Sequence, residues 1–213
     1  MISFACPTCS KPFTVPGAYA GRTARCKACG AAFTVPAASE IASAGVALQP
    51  AHPGATAPPP RVRRLLADAE QMRRAFDACE HIRVVSTAGD PPDTYEIEYR
   101  VRGLRPGPKD RPVDCPQHRV RITLPADYPR LSPHCAMLTP VFHPNINEAT
   151  VCVGDHWTAG ERLVDLVIRI AEMLGYQAYN LRSPLNGEAA MWADLNAGRL
   201  PTDPRPMRPA NLE

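Results

Sequence analysis

Two groups of residues in the chain have the types and spacing to do chemistry. Cys152 follows the tripeptide His143-Pro144-Asn145 by seven residues. A cysteine thiolate can accept an acyl group, and a carboxamide held beside it can donate to the oxyanion that forms when that acyl group is attacked. Pro144 fixes its own φ and pushes His143 towards extended backbone, so the tripeptide is expected as a stiff corner that holds the Asn145 amide still. A turn-stabilising role for Asn145 is compatible with the same geometry. The second group is the pair Cys6-Pro-Thr-Cys9 and Cys26-Lys-Ala-Cys29, separated by sixteen residues. Two such knuckles close a tetrahedron of thiolates about 2.3 Å from one ion, the spacing of a structural Zn2+ site with no open coordination position.

The remaining cysteines are Cys79, Cys115 and Cys135. Cys79 and Cys135 fall on apolar faces and read as small buried hydrophobes, and Cys115 lies in a proline-rich loop. Paired C-x-x-C motifs with scattered single thiols favour metal and free cysteines over disulfides, hence a reducing compartment, with the cytoplasm as the expected location. His156, beside Asp155 and close to Cys152, could tune the thiol, although a single histidine near a cysteine is more often a surface residue.

The stretch from Pro125 to Trp157 resembles the active-site region of ubiquitin-conjugating enzymes, on Tyr128-Pro129, Pro133, His143-Pro144-Asn145, Cys152 and Trp157. The resemblance implies that Cys152 takes ubiquitin, or a ubiquitin-like protein, as a thioester from an activating enzyme and passes it to an amine. By the same resemblance Asn145 is the oxyanion-stabilising amide and His143 braces the turn. Ser183, in Ser183-Pro184-Leu185-Asn186, lines the approach of the incoming amine. Two departures stand out. The Cys152–Trp157 interval is shorter than is typical, and the surfaces used for RING-type ligases look altered. Gly103–Gln117 carries no exposed aromatic, and Trp157-Thr-Ala-Gly160 replaces the usual Ser-Pro-Ala. Transfer without such a ligase, or recruitment by the four-cysteine module, is the expectation.

The elements that must position these residues are legible from periodicity. Residues 1–36 are a repeat in which each knuckle leads to a short strand with an aromatic, Phe13 or Phe33, at the same offset. A zinc ribbon this short has little core, so metal would supply most of its folding free energy. Residues 37–60, rich in Ala and Pro and poor in charge, read as a flexible tether. A catalytic domain over 61–200 opens with an amphipathic helix, Arg61–Cys79, whose Arg61, Arg63, Arg64, Arg73 and Arg74 occupy the non-apolar faces. In the resembled family this helix helps dock the activating enzyme. Strands follow at Ile82–Ser86, Tyr95–Val101, Arg119–Leu124 and Cys135–Leu138, then helices over Glu161–Leu174 and Glu188–Asn196. Helix, four-stranded antiparallel meander, catalytic loop and helices give an α+β class and the order of the ubiquitin-conjugating fold. Residues 201–213 read as a loose tail.

Composition excludes several classes. The chain has 213 residues, 25 prolines and a formal net charge of +3, which argues against nucleic acid as a general partner. The most apolar helix, Leu163–Leu174, is cut by Asp165, Arg169 and Glu172, so a membrane span is not expected. The chain begins without a secretory signal pattern. Arginine far outnumbers the three lysines, Lys11, Lys27 and Lys109, which reads as GC-rich codon usage and leans bacterial, or as a chain with few amines for automodification. Two rival readings follow. A non-catalytic relative of the same fold could bind ubiquitin-like proteins without a thioester. Alternatively, the ribbon could be primary, as a nucleic-acid or scaffold adaptor or as a module docking a protein target.

Overall fold

A computed structural model describes residues 2–9, 11–35, 57–108, 111–147, 150–153 and 157–212. The chain divides into two compact units, Met1–Pro58 and Pro59–Glu213.

The first unit is two hairpins, β1 (Ile2–Ala5) with β2 (Pro12–Val15) and β3 (Thr23–Arg25) with β4 (Ala32–Thr34). Phe4, Phe13 and Phe33 meet with ring centroids 5.5 to 6.0 Å apart. That aromatic cluster is why both repeats place Phe at one offset. Gly30 closes the second knuckle at φ 74, a conformation that costs glycine nothing.

The second unit opens with α1, Pro60–Phe76. Pro60 suits the first helical position because its missing N–H would have no partner there. Leu65, Met72, Ala75 and Phe76 recur at helical intervals and are buried, so this face lies on the core. The sheet is antiparallel in the order β10-β9-β6-β5, where β5 is Ile82–Gly89, β6 Pro92–Tyr99, β9 His118–Thr123 and β10 His134–Met137. Register sets Ile97 opposite Val120 and Tyr95 opposite Ile122, all buried, which fixes one face inward. A small hairpin, β7 (Gly103–Arg105) with β8 (Val113–Cys115), interrupts the meander within a segment expected only as turns. Gly103 is required there, because a Cβ would stand 2.6 Å from both His118 Nε2 and Leu174 O.

Helix α2, Leu163–Leu174, buries nine of its twelve residues, and the Tyr99 hydroxyl donates to Val167 O at 3.3 Å. Helix α3, Gly187–Leu195, is capped by the Asn186 side chain accepting from Ala189 N–H at 3.0 Å. No described helix is long and apolar enough to cross a membrane.

Two expectations are corrected. The carboxy-terminal residues are not a loose tail. Met207 and Asp203 are each 2% exposed. The Asp203 carboxylate accepts from Arg102 N–H at 3.0 Å and from Arg205, and Gln177 Nε2 donates to Asp203 O and Arg205 O at 2.6 Å. Hydrogen bonds and the apolar anchors Met207 and Leu212 offset the ordering entropy of a proline-rich segment whose unfolded state is already restricted. The basic face of α1 is also not uniformly free. Arg61 donates to Leu124 O and Pro125 O at 3.3 Å, and Arg64 pairs with Asp68 at 2.8 Å. The expected tether lies outside the described residues over 37–56, and its last residue, Pro60, already belongs to α1.

Candidate active site and metal centre

The corner 143–147 and the segment 150–152 fold onto each other through bridges of His143 with Ile146 and of Ile146 with Val151. Ile146 and Val151 are buried, and Val151 N–H donates to Cys135 O of β10 at 3.0 Å, so the corner is anchored to the sheet. Cys152 N–H then donates to Asn145 O at 2.9 Å, which brings the nucleophile candidate opposite the carboxamide residue. Cys152 itself is half-buried.

His143 is 0% exposed and lies edge-to-face on Tyr176, with ring centroids 4.9 Å apart. Its Nδ1 accepts from Asn145 N–H at 3.1 Å, so the ring carries its proton on Nε2. Burial holds the imidazole down to about 3, and it stays neutral through the physiological range. His143 is thus enclosed within the corner, with Nδ1 tied to the Asn145 backbone. Tyr176 completes the support by donating from its hydroxyl to Phe142 O at 2.6 Å.

Asn145 is 5% exposed. Its Oδ1 accepts from Asn180 N–H at 2.7 Å, and Nδ2 donates to Asn180 O at 2.8 Å. Among the described residues the second Nδ2 hydrogen meets Ser183 O, at 3.5 Å, too long for a strong bond. The amide is thus braced in two directions and keeps one donor weakly engaged. Pro144 O accepts from the N–H groups of Leu185 and Asn186 at 2.8 and 3.0 Å, which returns the Ser183–Asn186 segment to the corner. Ser183 is exposed there. Asp155 and His156 lie outside the described residues.

The other three single thiols differ. Burial pushes Cys135 up to about 12, which rules it out as a nucleophile at neutral pH. Cys115 is buried and donates to Gln117 O at 3.1 Å. Cys79, expected to be buried, is half-exposed, with Sγ 3.7 Å from His81 Nδ1.

Sequence reasoning missed the polar hub behind the site. The buried Asp68 carboxylate accepts from the Tyr128 hydroxyl at 2.6 Å and from Arg64 Nε at 2.8 Å. Arg64 also donates to Ala159 O at 2.7 Å and to Glu161 O, and lies over the Tyr128 ring at 5.0 Å. Trp157 packs on Tyr128 and donates to Pro129 O at 2.8 Å. The Tyr128-Pro129 and Trp157 signals thus mark a scaffold that ties both ends of the catalytic stretch to α1. Only the i, i+4 spacing of Arg64 and Asp68 hinted at it.

In the first unit the four Sγ atoms of Cys6, Cys9, Cys26 and Cys29 lie within 4.8 Å of one another. Cys6–Cys29 and Cys9–Cys26 are 3.8 and 3.6 Å apart, far beyond a disulfide bond and close to the roughly 3.8 Å edge of a tetrahedron with 2.3 Å metal–sulfur bonds. Thr8 and Ala28 N–H each donate to a thiol at 3.4 Å, as a thiolate would require. The Cys29 N–H leads in drawing the Cys26 thiol down to about 6. Against the pull of the Lys11 N–H, burial and the neighbouring thiols push Cys9 up to about 12. Four thiolates cannot coexist here without a cation, so the group fits a metal ion.

Comparison with known proteins agrees with this architecture. The ubiquitin-conjugating enzyme family model matches residues 86–198, more than half of the chain. Curated relatives include a 24 kDa ubiquitin-conjugating enzyme of Saccharomyces cerevisiae, 34% identical over 44% of this chain and 44% of its own length. Another is ubiquitin-conjugating enzyme E2 5 of Arabidopsis thaliana, 34% identical over 45% of this chain and 57% of its own. The 20 kDa ubiquitin-conjugating enzyme of Schizosaccharomyces pombe is 28% identical over 48% and 60%. The chain therefore spans about half the length of the curated relatives it matches. These relatives are eukaryotic and lend no support to the bacterial leaning of the composition. Among solved structures, a chain described as a ubiquitin conjugating enzyme from Trypanosoma cruzi aligns over 63% of this chain and 90% of its own, at TM-score 0.48 and 15% identity. With the helix, meander, corner and helices in that order, the chain belongs to the ubiquitin-conjugating enzyme family.

Proposed function

We propose that the protein is a ubiquitin-conjugating-type transferase that receives ubiquitin or a ubiquitin-like protein from an activating enzyme as a thioester on Cys152 and delivers it to an amine. The observation that carries this reading is the half-exposed Cys152, joined through its own N–H to Asn145 in a corner whose carboxamide is braced on Asn180. In loading, the Cys152 thiolate adds to the carbonyl carbon of the donor thioester and the donor thiolate leaves. In discharge, an amine adds to the Cys152 thioester. The Asn145 side-chain N–H that lies 3.5 Å from Ser183 O is the donor available to the resulting oxyanion. Collapse expels the Cys152 thiolate, and the amine proton passes to solvent. Ser183, exposed at the same corner, lines the approach of the amine.

The four-cysteine group is read as a structural Zn2+ site, with Cys6, Cys9, Cys26 and Cys29 as its ligands and no catalytic role. Half-exposed Cys79 and Cys152 together with this group suit a reducing, cytoplasmic setting. With the RING-facing loop lacking an aromatic, the ribbon is the better candidate for recruiting a target.

The test uses the full chain with an activating enzyme, ATP and its matched modifier. Wild type is expected to form an adduct that thiols cleave, Cys152→Ser a more stable oxyester, and Asn145→Ala a normal thioester that discharges slowly. A wild type that forms no adduct with any matched activating enzyme and modifier would leave only a binding protein of this fold.

A further inference from the structure

Arg169 projects from α2 to the backbone carbonyl of Val153, the residue after the proposed nucleophile. Its guanidinium donates to Val153 O at 3.2 Å and pairs with Glu161 Oε1 at 2.9 Å. Its Nε is buried without an acceptor among the described residues. The backbone is thus held on both sides of the Cys152 side chain. Before it, the Cys152 N–H reaches Asn145 O at 2.9 Å, and after it, the Val153 carbonyl is gripped by Arg169.

We infer that Arg169, itself fixed by Glu161, is a positioning residue that sets the direction in which Cys152 presents its sulfur. This rests on the reading of Cys152 as the acyl acceptor. A guanidinium is a planar fork able to bridge a carboxylate and a carbonyl at fixed angles, which an ammonium cannot reproduce. Stability alone is a poor reason for an arginine here. The orphaned Nε is costly, and an apolar side chain at a half-buried site between core residues Ile168 and Ile170 would pack at no such cost. Geometry at the reacting atoms is the better reason, since a shift of about 1 Å can cost up to about a hundredfold in rate.

The experiment compares Arg169→Gln, Arg169→Lys and Glu161→Gln in the full chain. Four quantities are measured: the thermal midpoint, hydrogen exchange of the Cys152 amide, site-resolved alkylation of Cys152 by iodoacetamide, and single-turnover discharge of preloaded protein to free lysine. Arg169→Gln is expected to load normally but discharge about ten- to a hundredfold more slowly. Its Cys152 amide should exchange faster and its Cys152 alkylation rate should change, while alkylation at Cys79 stays as in wild type. Arg169→Lys should recover part of the discharge rate. Wild-type discharge in Arg169→Gln, or a loss that merely follows the unfolded fraction, overturns the inference. Should wild type itself fail to load, the transferase reading falls. Exchange and alkylation still decide whether Arg169 holds this peptide, and unchanged values for Arg169→Gln overturn that too.

Discussion

Asn145 directs most of its hydrogen-bonding capacity into the protein, since Oδ1 and one Nδ2 hydrogen both go to the backbone of Asn180. The same amide therefore carries two separable quantities. Truncation breaks two hydrogen bonds to the backbone of the exposed Asn180, where water can replace them, at a net cost of about 0.5 to 1.5 kcal/mol of stability per bond. It also removes the proposed oxyanion donor, a group whose loss is expected to slow discharge by about 10²- to 10³-fold. Asn145→Ala is expected to show both, read by denaturant titration and by single-turnover discharge. A purely structural amide would show the first without the second. Two other polar residues set a pH limit. His143 and His118 are both 0% exposed, and burial holds them down to about 3 and about 4. Below an unfolded pKa near 6.5 the unfolded chain binds protons that the folded chain refuses. Stability therefore falls as pH drops from about 6.5 to 4, by roughly 1.4 kcal/mol per pH unit for each histidine, and is unaffected by them above pH 7. His118→Phe, which removes one of the two buried imidazoles, should flatten that slope by about half. Urea midpoints measured at pH 7, 6 and 5 check this.

At the scale of elements, α1 carries more than a packing face. Asp68, Arg64 and Tyr128 lock it to the stretch before the corner, and the Ala159 and Glu161 carbonyls extend that lock to the start of α2. Asp68→Ala would take the counter-charge from the largely buried Arg64 guanidinium and the acceptor from the Tyr128 hydroxyl, and about 3 to 5 kcal/mol of stability should be lost. Arg63, on the exposed side of α1, should tolerate alanine with little change, and thermal midpoints of the two variants distinguish them. This lock also shows where sequence reading stops. The helices, the four main strands and the corner were legible, because each is a local pattern of period or turn chemistry. The β7–β8 hairpin was not, since three-residue strands between prolines leave too short a pattern to count. The tail was misjudged for a related reason. Asp203 and Met207 are held by Arg102, Gln177 and the core, and a proline-rich composition says nothing about partners so distant in sequence. At the site, Cys152 and Asn145 stood out by type and spacing, while the Asn180 backbone beside Asn145 and the Arg169 guanidinium on Val153 O are contacts that only the fold brings near.

At the scale of the whole molecule, the chain contains two units whose stability has different origins. The second buries a continuous apolar cluster running from Leu65 to Met207 and can hold its structure through area removed from water. The first has three phenylalanines and four thiols that could hold an ion, and at its small size a bound metal would be the dominant favourable contribution to its folding. Removing the ion should therefore act on one unit only. On treatment with a strong zinc chelator, amides in 2–35 are expected to lose protection from hydrogen exchange, one equivalent of zinc should appear in solution, and the thermal transition of 59–213 should stay within about 1 °C, since nothing in its core depends on the ion. Cys26→Ser should reproduce the chelator's effect on 2–35 without it, because three thiolates cannot complete the tetrahedron. A single transition that moves as one with metal content would mean that the units fold as one body. Protection of 2–35 that persists without metal would mean that the aromatic cluster alone suffices. Either result would remove zinc as the element that makes the ribbon fold.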